Sequence, residues 1–126
     1  MARRISIIIC VLFLLALFIF PSHFLSGICD EIESLAQQAI EMVFDENFEA
    51  GYELGGKINE IYDEHRDFLH VFLSHTGLES LESSIRGIKR LMAVEDKPQT
   101  LLELEYIITH VRYLKSIEEF AVDTVL

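Results

Sequence analysis

Histidine is the residue type best suited to chemistry in this chain, and its spacing excludes most of what it could do. His65, His70 and His75 lie five apart, which on a helix turns each ring by about 140° from the one before. Three rings so arranged cannot share a face, whereas a zinc site needs ligands that converge, as spacings of three or four provide. The remaining pair is His75 with His110. If the helices carrying them pack antiparallel, the two rings could approach, with Glu79 or Glu82 as further ligands, so these are the only candidate metal residues. No metal or other cofactor is otherwise expected.

The other chemical groups point away from catalysis. Carboxylates come in pairs, Asp45/Glu46, Asp63/Glu64, Glu103/Glu105 and Glu118/Glu119. General acid–base work needs two carboxylates in environments that push their pKa values apart, and these are interleaved with apolar residues as on solvated helix faces. Ser83-Ser84 has no base at helical spacing. Gly55-Gly56 lies among helix-forming residues, without the strand that a phosphate-binding loop follows. No catalytic residue is expected and the chain is read as a non-enzyme.

Position along the chain says more. Ile5–Cys29 carries no charged side chain, Arg3 and Arg4 precede it, and Asp30, Glu31 and Glu33 follow. The stretch from Ile5 to Phe20 holds thirteen Ile, Leu, Val or Phe residues, each contributing roughly −0.3 to −0.6 kcal/mol to insertion. It exceeds a signal-peptide core of about 7–15 residues and lacks a small-x-small cleavage site. Leu25-Ser26-Gly27-Ile28-Cys29 approaches a lipoprotein signal, but Ile28 separates the small residue from the cysteine. The expectation is an uncleaved transmembrane anchor at 1–29, densest from Ile5 to Phe20. Its arginines stay cytoplasmic and residues 30–126 lie outside.

That second part holds all 21 acidic residues against eight Lys or Arg, a net charge of −13. Such a surface repels nucleic acid and anionic lipid headgroups, so nucleic acid is excluded as a partner. Cys10 falls in the apolar run and Cys29 at its edge, leaving no intramolecular disulfide on the acidic side.

Past the anchor the chain reads as helix throughout. Ile28, Ile32, Leu35, Ala39 and Met42 mark one face of a helix ending near Phe44, and Asp45-Glu46-Asn47 breaks it. A second helix is predicted from Phe48 to Leu73 with its seam at Leu54, Ile58, Ile61, His65, Phe68 and Phe72, and with Tyr62, Leu69 and Leu73 widening the buried stripe. Gly51, Gly55 and Gly56 weaken its start, and Gly77 suits a left-handed turn at its end. A third, Leu78–Ala93, buries Leu78, Leu81, Ile85, Ile88 and Met92. A fourth, Gln99–Phe120, buries Leu101, Leu104, Ile108, Val111 and Leu114. The predicted fold is all-α, a transmembrane helix followed by a small antiparallel bundle of three to four helices.

This layout resembles an uncharacterised bacterial family of short, singly anchored helical proteins, domain of unknown function 4363. The resemblance rests on Phe48 after the Asp45-Glu46-Asn47 break, Tyr62 before Asp63-Glu64-His65, the apolar Phe68–Leu73 segment with His75, the Leu81–Met92 helix, and the acidic Leu101–Glu105 helix running to His110. The two aromatic positions are more often tryptophan in that family, and this chain has none. The resemblance implies an anchored helical fold and no activity, so it transfers no functional residues.

The expected function is therefore that of a single-pass, extracytoplasmic interaction module that binds a membrane or envelope protein, or itself. Phe48, Tyr62 and Phe72 are its partner-binding candidates, being many aromatics for so small a domain. The alternative is an exported domain that senses a cation or ligand through its acidic surface.

Overall fold

In the computed structural model the backbone is described for residues 2–72 and 75–125, and the side chains for 2–17, 24–71 and 77–116. The described residues form four helices: α1 (Ala2–Phe44), α2 (Phe48–Phe72), α3 (His75–Ala93) and α4 (Lys97–Val125). The all-α expectation holds. Helix α1 packs on α2 and α4, and α3 packs on α2 and α4, which closes a ring. Ion pairs show the relative direction of the helices in this ring. Arg112 pairs with Glu33 and Lys115 with Asp30 across α1 and α4, so one number rises as the other falls and the helices are antiparallel. Asp63 with Arg86 and Glu82 with Arg66 show the same for α2 and α3.

The core is one cluster drawn from all four helices. All five residues expected of α3 are buried: Leu78, Leu81, Ile85, Ile88 and Met92. On α1 the buried line is Leu25, Ile28, Cys29, Ile32, Ala36, Ala39 and Val43, wider than expected because this helix serves two neighbours. Its packing begins at Phe24, whose ring meets His65 and Phe68, rather than at the expected boundary of residue 30. Cys29 is inside this core, which closes its thiol to a second chain. On α4, Leu104, Ile107, Ile108, Val111 and Leu114 are buried and Leu101 is partly so.

Helix α2 corrects the expectation most. Its buried line runs through Gly51, Gly55, Ile58, Tyr62 and Leu69, while Leu54, Ile61 and Phe68 flank the core. The glycines do not fray the helix; they bring it close to its neighbours. A β-carbon on Gly51 would sit 3.1 Å from Val43 Cγ2, and one on Gly55 3.5 Å from Met92 Sδ.

Both three-residue turns are built alike. Asn47 N–H donates to Met42 C=O at 2.8 Å and Glu46 N–H to Val43 C=O at 3.0 Å; Asp96 and Glu95 repeat the pattern on Leu91 and Met92. This double bond pattern ends a helix through one left-handed residue, and here that residue is a glutamate each time, Glu46 at φ 62° and Glu95 at φ 57°. Asn47 and Asp96 then cap the next helix, accepting from Ala50 N–H and Gln99 N–H. No glycine among the described residues has positive φ, so the left-handed turn expected at Gly77 is not formed; Gly77 lies within α3, which starts at His75. A β-carbon is strained in this region of φ. Glu46→Gly and Glu95→Gly are each expected to raise stability by about 0.5–1 kcal/mol, read as a higher urea midpoint.

The N-terminal half of α1 leaves the bundle. Every described side chain from 2 to 17 is exposed, among them Ile7, Leu12, Phe13 and Leu14 at about 60%. Among the described residues no helix is long and apolar enough to cross a membrane. The exposed apolar run is described as far as Leu17, and a span needs about 20 residues. Phe20, at the far end of the expected span, lies outside the described side chains, as does all of 18–23.

Candidate interaction surface

Charge is distributed unevenly between the helix pairs. Arg112–Glu33 and Lys115–Asp30 join α4 to α1, and Lys97–Glu46 joins the start of α4 to the turn after α1. Arg66–Glu82 and Arg86–Asp63 join α3 to α2, and Arg86–Glu82 links the two pairs within α3. Asn59 reinforces the second seam: its amide donates to Gly55 C=O and to Ile85 C=O, each at 2.9 Å, and accepts from Arg86 at 2.8 Å. Lys89 lies 4.9 Å from the Tyr52 ring and Lys97 5.1 Å from that of Phe44, covering aromatics that are otherwise exposed. Most basic side chains of the bundle are thus engaged in holding helices together, and the surplus of charge at the surface is acidic.

The Asp63–Arg86 pair has a consequence for acid stability. The hydrogen bond from Arg86 holds the Asp63 carboxyl below the usual aspartate range and raises Arg86 in turn. A carboxyl depressed in the folded state contributes stability above its unfolded pKa of about 3.9, and that contribution is lost as pH falls through its lower folded value. Asp63→Asn is therefore expected to narrow its stability gap from the wild type as pH falls from about 5 toward 2, measured by urea midpoints at each pH.

The α2–α3 seam also holds Tyr62, one of the expected partner-binding aromatics. It is fully buried, with the Arg86 guanidinium 5.5 Å over its ring, so it packs the core and offers no surface. Burial, then the nearby Glu82, pushes its phenol above the usual tyrosine range. Its hydroxyl has no hydrogen bond of ordinary geometry among the described residues, although the Arg66 charge lies near it. Phe48 is half-buried against the same core, and Phe72 lies outside the described side chains.

The metal candidates are not assembled by what is described. His75 lies outside the described side chains. His110 is half-buried, stacked on Tyr106 at 5.6 Å, with Nε2 3.7 Å from where a Gly77 β-carbon would be and no hydrogen-bond partner among the described residues. No group of three or more His, Cys, Asp or Glu able to hold a metal occurs among the described residues.

A surface unread in the sequence lies between α3 and α4. It is a groove of about 750 Å³ lined by Ser80, Ser83 and Ser84 from α3 and by Leu102, Tyr106 and Thr109 from α4, with Glu79, Glu103 and Glu105 at its edges. Leu102 is 61% exposed, Tyr106 44% and Tyr113, about two turns beyond Tyr106, 62%. The signal was present as a second apolar spacing on α4, at 102, 106 and 113, beside the stripe that enters the core.

Comparison with known proteins gives one match. The profile of a family described as "Domain of unknown function (DUF4363)" matches residues 19–125. No curated protein and no solved structure matches the chain.

Proposed function

Because the chain belongs to the DUF4363 family, whose description carries no activity, we propose from its physical organisation that it is a non-catalytic, single-pass membrane-anchored module. Its acidic bundle stands outside the cytoplasmic membrane and binds a membrane or envelope protein. The observation that carries this reading is the sheath of exposed apolar side chains over 2–17 on a helix that continues without interruption into the bundle. A helix apolar all round has no stable place in water. Since bundle packing starts at Phe24, the uncharged residues 5–23 remain for the span. They measure about 28 Å as helix, close to the about 30 Å of a hydrocarbon core. Arg3 and Arg4 hold the N-terminal side in the cytoplasm, and the acidic bundle avoids the anionic headgroups beside it.

The test is made with the full chain in its native membrane. A high-pH wash is expected to leave it in the membrane pellet. Photo-crosslinking residues placed at exposed positions on each bundle face, Glu49, Glu64 and Leu102, are expected to give one defined protein adduct from at least one face. Release by the wash, or unadducted monomer from every position, contradicts the proposal.

A further inference from the structure

We infer that the α3–α4 groove is the docking site for a basic amphipathic helix of a second protein, an assignment that rests on the interaction-module reading above. Leu102, Tyr106, Thr109 and Tyr113 fall within an arc of about 60° on α4, and all four are exposed. Large side chains with apolar surface at i, i+4 and i+11, with a threonine between them at i+7, make an outer face of the kind a helix presents to another helix. The facing wall on α3 is low: Ser80 and Ser83 are small and exposed, and at Gly87, on the same line, a β-carbon would meet nothing within 4 Å. A ridge of side chains from a third helix fits between a low wall and a high one.

Charge selects the occupant. Glu103 and Glu105 stand on opposite sides of the α4 stripe, and no Lys or Arg is among the described lining residues. A helix whose apolar ridge is flanked by Lys or Arg places its cations against these carboxylates. A second copy of this chain would set the same glutamates against each other, and like charges across an interface are costly. The α1–α4 and α2–α3 pairs carry ion pairs across their seams, whereas among the described residues none is formed between α3 and α4 or between α1 and α2.

The probe is an 18-residue amphipathic peptide with a Leu/Ala ridge flanked by lysines and one tryptophan, against a glutamate-flanked analogue. The chain has no tryptophan, so peptide fluorescence reports binding to the detergent-solubilised full chain directly. The lysine peptide is expected to bind and the glutamate analogue not to. Glu103→Lys with Glu105→Lys is expected to weaken binding roughly tenfold, and Leu102→Ser with Tyr106→Ser by a similar factor. Glu60→Lys with Glu64→Lys, on exposed positions of α2, makes the same charge change elsewhere and is expected to alter binding less than threefold. Equal weakening by the α2 pair means diffuse charge attraction and overturns the inference, as does no binding of the lysine peptide. Sedimentation showing a dimer abolished by Leu102→Ser with Tyr106→Ser overturns it in favour of self-docking. Each of these leaves the membrane crosslinking test to judge the interaction-module reading separately.

Discussion

Tyr62→Ala is expected to destabilise the bundle by about 3–5 kcal/mol, the range for deleting a large buried aromatic. Tyr62 is among the largest fully buried side chains. It lies in the α2–α3 seam with the Arg86 guanidinium over its ring, so truncation opens a cavity between packed helices rather than beside a loop. A small domain has only about 5–15 kcal/mol in total, so this change removes much of it. Tyr62→Phe separates packing from polarity. Its hydroxyl makes no hydrogen bond of ordinary geometry among the described residues, so losing it is expected to change stability by less than about 1 kcal/mol in either direction. Urea unfolding followed by circular dichroism measures both. A surface role for Tyr62 in partner binding predicts the reverse, with Tyr62→Ala folding as well as the wild type.

The largest effect on location is expected from Leu12→Arg with Leu14→Arg. The thirteen Ile, Leu, Val and Phe residues of Ile5–Phe20 sum to roughly −4 to −8 kcal/mol of insertion free energy. Each Leu→Arg exchange near mid-span reverses about 3 kcal/mol or more, so the pair cancels most or all of that sum. Both side chains are exposed on α1 and distant from the core cluster, which leaves the bundle's melting unchanged. The variant is expected in the soluble fraction, folded, while Leu12→Ile with Leu14→Ile stays in the membrane. If the arginine variant remained membrane-bound, the apolar sheath of α1 would not be what holds the chain there.

How far the fold could be read from residues differed from helix to helix, for physical reasons. Helix α3 sets a single apolar stripe against serines, arginines and glycine, so its five core positions stand out, and all five are buried. Helix α1 contacts two neighbours, and its second line, Leu25, Cys29, Ala36 and Val43, contains residues whose hydrophobicity is modest while their small size permits contact. Helix α2 misled because glycine counts as a helix breaker on propensity scales, yet here Gly51 and Gly55 occupy the closest approach and turn the buried line toward Tyr62. Turn chemistry misled in the same direction: left-handed φ was expected at Gly77 and is adopted by Glu46 and Glu95. The interaction surface was the least legible part. Aromatic content singled out Phe48 and Tyr62, but residue type does not tell a core aromatic from an exposed one. The groove on α4 emerges only once Leu104, Ile107, Ile108 and Val111 are seen to fill the core and to leave Leu102, Tyr106 and Tyr113 outside.

The most direct test of the account is thiol labelling of intact cells with a membrane-impermeant maleimide. The wild-type chain is a silent background, since Cys29 is buried in the bundle and Cys10 lies within the apolar run. A cysteine replacing Glu49, exposed at the end of the bundle farthest from Arg3, is expected to be labelled on intact cells. One replacing Arg3 is expected to react only after the cells are broken. Labelling of the Arg3 position from outside, or protection of the Glu49 position until lysis, contradicts the claim that one apolar helix carries this bundle across the membrane.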